Sequence, residues 1–229
     1  MVVAGDGSPG SDAVIIDAGA GVGDAVHVLV EKNEWKLQAV FATHGHADHT
    51  WDAGVLCEHF DVPFRIHEAD AYRLADPLGS LVRQGAKPDA SVAVAIKQLL
   101  RELGQTEADY RPPTRVETFT AQPGEVLEAG SLKFELIHAP GHTEGSTLFV
   151  TEDVTSSADP SAVARRVAFT GDVLFAGSVG RTDLPGGSYL TMEATLNRLK
   201  AELDPMLGII PGHGDASTIA FELANNPYF

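Results

Sequence analysis

The sequence predicts an α/β protein with two packed sheets and helices on the outside. Three observations carry this prediction. Short apolar runs alternate with helical stretches along the chain. Each half of the chain has strands followed by helices, so each half supplies a sheet and its cover. Four apolar runs end in a loop where Gly or Pro stands beside His or Asp.

The elements follow in order. Ala13 to Asp17 reads as a strand stopped by Gly19, Gly21 and Gly23, and Asp24 to Asn33 as a helix with Ala25 and Leu29 on one side. Leu37 to Thr43 is a strand that runs into His44-Gly45-His46-Ala47-Asp48-His49, and a helix is expected from Thr50 to Phe60. Val62 to His67 reads as a strand and Glu68 to Leu74 as a short helix. Residues 76–112 form an excursion too short to hold its own core, with a helix over Ser91 to Leu103. Val116 to Thr120, Val126-Leu127, Leu132 to His138 and Thr147 to Val150 are β-like, and Glu128 to Ser131 makes a hairpin turn. The polar stretch around 151–165 is expected as a surface loop. Val167 to Thr170 is a strand ending at Gly171-Asp172, Tyr189 to Leu203 a helix, and Gly208 to Ile210 a last strand ending at Pro211-Gly212-His213-Gly214.

The 229 residues suffice for one domain spanning 1–229, burying roughly 70% of the unfolded surface without disulfide or structural metal. Sixteen basic against 32 acidic residues give 16 − 32 = −16. Such a chain repels nucleic acid and anionic membranes, and no basic patch offsets this. No apolar run is long enough for a membrane span, and no secretory leader is visible. Cys57 is the single cysteine, which fits a reducing compartment, so a cytoplasmic protein is expected.

His44, His46, Asp48, His49, His142, Asp172 and His213 all follow strand ends, the rigid positions where α/β folds place their sites. Imidazole and carboxylate together suit zinc, and also iron or manganese. Seven ligands are too many for one tetrahedral ion and about right for two, with Asp172 the natural bridge. His44 and His46, two apart on an extended segment, point the same way, while Asp48 and His49 turn towards a second ion.

His44 to His49, Ala139-Pro140-Gly141-His142-Thr143, Thr170-Gly171-Asp172 and Pro211-Gly212-His213 resemble the metallo-β-lactamase superfamily. The run Gly171 to Gly187 (GDVLFAGSVGRTDLPGG) resembles its glyoxalase II branch, specifically the short bacterial members. The resemblance covers Asp12 to about Asn226, and is poor over 76–112 and 151–165. It implies an αββα four-layer sandwich. It assigns His44, His46 and His142 to one ion, Asp48, His49 and His213 to a second, and Asp172 to both. It implies two divalent ions, zinc foremost with iron or manganese as alternatives, and hydrolysis of a thioester of the S-D-lactoylglutathione type by a metal-bound hydroxide. Asp48 and Asp172 are then the catalytic carboxylates and Arg181 the group near the substrate carboxylate. A small-molecule substrate and a monomer or small homo-oligomer are expected. Persulfide dioxygenases share the Gly-Arg-Thr-Asp stretch and hold one iron through the equivalents of His44, His142 and Asp172, which makes them the rival reading.

Two departures from the branch stand out. The larger enzymes carry a C-terminal helical domain, whereas here 229 − 213 = 16 residues follow His213. Members usually begin with another strand before Met1 to Ala4, so a shortened start and an exposed strand edge are expected. Other polar residues read as structural. His27 and His59 are packing or solvent residues, His138 belongs to a sheet, and Cys57 is a small core residue. His67 is a candidate for the site mouth. Asp17 is a candidate to orient a ligand histidine. Thr143 and Ser146 either line the pocket or bond within a turn.

Overall fold

The computed structural model describes residues 1–82, 91–153 and 165–229. Five strands form the first sheet in sequence order: β1 (Val2–Ala4), β2 (Asp12–Ile16), β3 (Lys36–Phe41), β4 (Phe64–His67) and β5 (Val116–Phe119). β1 pairs antiparallel to β2, and the other neighbours are parallel. Buried residues run almost uninterrupted along β2 and β3, as a sheet covered on both faces requires. The second sheet contains β6 (Val126–Ala129), β7 (Leu132–His138), β8 (Thr147–Asp153), β9 (Arg165–Gly171), β12 (Gly208–Pro211) and β13 (Ser217–Thr218), in the order β13-β12-β9-β8-β7-β6. β10 (Leu174–Phe175) and β11 (Ser178–Val179) form a separate two-stranded hairpin.

Three apolar clusters hold four layers together. α1 (Gly23–Lys32) and α3 (Ala53–Phe60) cover the outer face of the first sheet through Val26, Val30 and Leu56 packed on Ile15, Val40 and Phe64. Between the sheets, Val14, Ile16 and Phe41 meet Phe134, Phe149 and Phe169, and Phe41 stacks on Phe149 with ring centroids 5.4 Å apart. α5 (Tyr189–Glu202) and α6 (Ile219–Asn225) cover the second sheet; Met192, Leu196 and Leu199 recur at helical spacing on its buried face. Ser188 starts α5, its hydroxyl accepting from the Thr191 N–H at 3.2 Å. The αββα sandwich expected from the sequence is therefore the fold.

Several boundaries differ from expectation. The helix expected from Thr50 to Phe60 begins earlier and is split into α2 (Ala47–Thr50) and α3. Asp52 interrupts it: its N–H donates to the Ala18 carbonyl and its carboxylate accepts from the Gly23 N–H, both at 2.9 Å. The polar stretch expected as loop over 151–165 contains the end of β8 through Asp153 and the start of β9 at Arg165, paired with each other; residues 154–164 lie outside the described residues. The excursion forms α4 (Ser91–Glu102), whose Ile96 and Leu100 pack with Ala47, Trp51, Leu78 and Leu184, so it shares a core with the ligand loop. β10, β11, β13 and α6 are too short to show a period in the sequence. No helix among the described residues is long and apolar enough to cross a membrane.

Cys57 sits in α3 with the core residue role expected for it, and burial pushes its thiol up to about 12. Its thiolate fraction at pH 8 is then about a thousandfold smaller than that of an unfolded cysteine. Iodoacetamide is expected to leave the native protein unlabelled and to add one group in denaturant, which intact mass reads directly.

Candidate metal centre

The ends of β2, β3, β7, β9 and β12 deliver the polar residues to one end of the sandwich. β3 leads to His44 and His46, α2 carries Asp48 and His49, and the turn after β7 presents His142. Asp172 follows β9 and His213 follows β12. Gly171, immediately before Asp172, has a φ of +49°, and a Cβ there would press into the Thr43 side chain, so this turn requires glycine.

Two groups of ligand atoms result. His44 Nε2 lies 3.1 Å from His46 Nδ1 and 3.2 Å from His142 Nε2, and His142 Nε2 lies 2.9 Å from His46 Nδ1. In the second group, His213 Nε2 is 3.3 Å from both Asp48 Oδ2 and His49 Nε2. Asp172 reaches both: Oδ1 is 3.3 Å from His49 Nε2, and Oδ2 is 3.7 Å from His142 and from His213. All seven residues singled out in the sequence are thus brought together.

Hydrogen bonds outside the groups fix which ring nitrogens carry protons. His142 Nδ1–H donates to the Arg181 carbonyl at 2.7 Å, leaving a lone pair on Nε2. His49 Nδ1–H donates to Asp17 Oδ2 at 2.9 Å, which turns Nε2 towards the second group. Thr43 Oγ1 donates to Asp17 Oδ2 at 2.9 Å and so accepts from His44 Nδ1 at 3.1 Å. Lone pairs therefore converge, and Asp172 Oδ1 is buried without a hydrogen bond. A cation resolves this otherwise costly arrangement, so the donor set fits divalent metal. Asp17 has the orienting role anticipated for it, from a left-handed φ of 60° that aspartate tolerates.

Without metal the same geometry shifts the titrations. Burial holds His44, His46 and His142 below the ordinary histidine value. Burial also depresses His49, but the Asp17 and Asp172 carboxylates outweigh it and raise His49 well above that value. Burial raises Asp48 and Asp172, and the neighbouring histidines more than reverse this, holding both carboxyls low. The hydrogen bond to Asp48 raises His213. Both carboxylates are accordingly ready to bind cations across the neutral range.

Sequence reasoning missed Asp70 and Arg73, which support the ligand loops from below. Asp70 is fully buried and accepts from the Gly45 N–H at 2.8 Å, the Thr143 hydroxyl at 2.7 Å, the Gly145 N–H at 3.0 Å and Arg73 Nε at 3.3 Å. One carboxylate thereby ties the loop of His44 and His46 to that of His142. Arg73, also fully buried, continues to Glu144 at 2.6 Å and the Pro185 carbonyl at 2.9 Å. An Asp and an Arg three apart in a short helix gave no sequence signal of this.

The remaining candidates divide. Thr143 and Ser146 are buried and bond to each other at 2.8 Å, the turn role rather than pocket lining. His67 is buried, stacked on His138 at 4.4 Å and bonded to the Thr120 carbonyl, so it joins neither ligand group. The Arg181 guanidinium is held by both oxygens of Asp183 at 2.7 Å, while its carbonyl anchors His142. Beside the second group lies a cleft of about 350 Å³, lined by Asp48, His49 and His213 together with Val22, Leu99 and Ile210. Leu99 comes from α4, so the excursion supplies part of its wall.

An αββα sandwich with seven His and Asp side chains gathered at one end defines a metallo-hydrolase fold. The chain belongs to the metallo-beta-lactamase superfamily, whose family model matches residues 2–213. It is 31% identical over 219 residues to hydroxyacylglutathione hydrolase GloC of Haemophilus influenzae, covering 95% of this chain and 87% of that protein. Among solved structures, the B3 metallo-beta-lactamase BLEG-1 superposes with a TM-score of 0.71 at 27% identity, covering 99% of this chain and 91% of that one. TTHA1623 in a di-iron-bound form superposes with a TM-score of 0.67 at 26% identity, covering 100% of this chain and 93% of that one.

Proposed function

We propose that the protein hydrolyses thioesters of a low-molecular-weight thiol, S-D-lactoylglutathione being the reference substrate. In this reading His44, His46 and His142 hold one divalent ion, Asp48, His49 and His213 a second, and Asp172 contacts both. Zinc suits the donors, with iron or manganese as alternatives; the similarity to a protein solved in a di-iron-bound form supports iron among these. The observation that carries the reading is the position of Asp172, with one oxygen towards His49 and the other towards His142 and His213. The similarity to GloC supports the choice of thioester.

When bound, the ion pair supplies a Lewis acid and a water activated for attack at neutral pH. The chain's own residues do the rest. Asp17 and the Arg181 carbonyl keep His49 and His142 in the tautomers that face inward. Water adds to the thioester carbon, the C–S bond breaks, and carboxylic acid and thiol leave. The thiolate leaves readily, so little acid assistance is needed. Asp48, partly exposed at the cleft and kept ionised by the neighbouring histidines, is positioned to accept a hydrogen bond from the attacking water and so orient it. Arg181 is the candidate clamp for a substrate carboxylate, its guanidinium held in one orientation by Asp183.

Metal analysis of the purified protein beside a thioester assay read by thiol release tests the proposal. Two metal equivalents and rapid thiol release are expected. One iron, oxygen uptake on glutathione persulfide and no thioester cleavage would overturn it in favour of the dioxygenase reading.

A further inference from the structure

The helices covering the first sheet carry a second set of metal-type donors. His27 and Glu31 are four residues apart on α1 and therefore share a face, with His27 Nε2 3.1 Å from Glu31 Oε2. His59, in the last turn of α3, brings its ring to 4.1 Å from that of His27. One ligand atom from each of the three residues can be chosen so that all lie within 4.8 Å of one another. Among the described residues, the ring contacts and the ion pair of this trio run to one another and to Phe60, away from the centre described above.

We infer that His27, Glu31 and His59 form a further divalent-metal position, separate from the catalytic groups, which clips α1 to α3 and takes zinc or a similar borderline ion. Two imidazoles and a carboxylate are a zinc donor set, and imidazole disfavours magnesium and calcium. Two of the three donors are already placed by one helix. The third comes from a helix anchored on the same core through Leu56 and Cys57, so little ordering remains to be done on binding. The side chains of His27 and Glu31 are 36% and 60% exposed, which leaves room for an ion and water to complete the coordination. A net charge of −16 raises the local concentration of cations. Because the donors come from two elements, an ion here ties those elements together, and binding to the folded state alone appears as added stability.

The test uses the full chain, stripped with chelator and titrated with zinc by calorimetry, beside the His27→Gln/His59→Gln double variant. The parent is expected to bind one more zinc equivalent than the variant, with a dissociation constant of about 10 μM or tighter. Its zinc-dependent rise in Tm should exceed the variant's by about 5 °C. Thioester turnover of the two should be equal. Glu31→Gln, which leaves both rings in place, should weaken the same event without abolishing it. Equal stoichiometry in parent and double variant, or an extra event seen only at millimolar zinc, overturns the inference. The difference between parent and variant reads the clip, so an error in assigning the catalytic pair leaves this test intact.

Discussion

Alanine at Asp172 is expected to lower thioester turnover by about a thousandfold or more and to reduce bound metal from two equivalents to one. Among the described residues, Asp172 is the carboxylate that approaches His142 of one group and both His49 and His213 of the other. The substitution removes the shared ligand and a negative charge between two sets of imidazoles. In the proposed assignment three donors from two loops, His44, His46 and His142, remain for the first ion, but nothing joins it to the second. The loss is local. Asp172 Oδ1 makes no hydrogen bond, and the surrounding turn is held by backbone bonds such as Gly212 N–H to the Gly171 carbonyl at 2.9 Å. The variant should therefore keep the parent's circular dichroism and cooperative melting. Metal analysis and single-turnover kinetics check the outcome; two bound metals with full turnover would remove Asp172 from its bridging role.

Alanine at Asp70 is expected to cost about 3–5 kcal/mol of stability, because it leaves Arg73 buried beside a lost partner. For a chain of this size that corresponds to a fall in Tm of about 10 °C. The same change strips acceptors from the Gly45 and Gly145 N–H groups and the Thr143 hydroxyl. Metal affinity should drop about 10- to 100-fold as the two ligand loops lose their common anchor. Adding Arg73→Met should recover part of the stability, since it removes a fully buried charge left with Glu144 as its remaining ion-pair partner, without restoring metal affinity. Calorimetric melting and zinc titration separate the two effects. Losses in the double variant equal to the sum of the single losses would show that the residues do not act as one network.

The local part of the site was legible because it is local. His44, His46, Asp48 and His49 stand within six residues, and Asp172 and His213 announce themselves by the glycines at strand ends. Near-continuous apolar runs marked β2 and β3 because both faces of that sheet are covered, and the phenylalanines of β7, β8 and β9 meet between the sheets. Asp70 and Arg73 could not be read in the same way. The loop groups they hold lie 25 to 112 positions away, so nothing near Asp70 in the chain records that it will hold Gly45, Thr143 and Gly145. The ends of β8 and β9 were hidden for a related reason: their polar residues are paired across the strands, and pairing leaves no mark on either segment alone.

Residue type and order thus determined the two-sheet architecture, the metal-type donor set and its placement at strand ends, because hydrophobic period and ligand chemistry are properties of short segments. Tertiary structure alone decided which nitrogen of each histidine faces inward, which buried charge props up the loops, where α4 closes the cleft, and that His27 and His59 meet. Each of these depends on a contact between distant segments, and such contacts exist only once packing has set the distances.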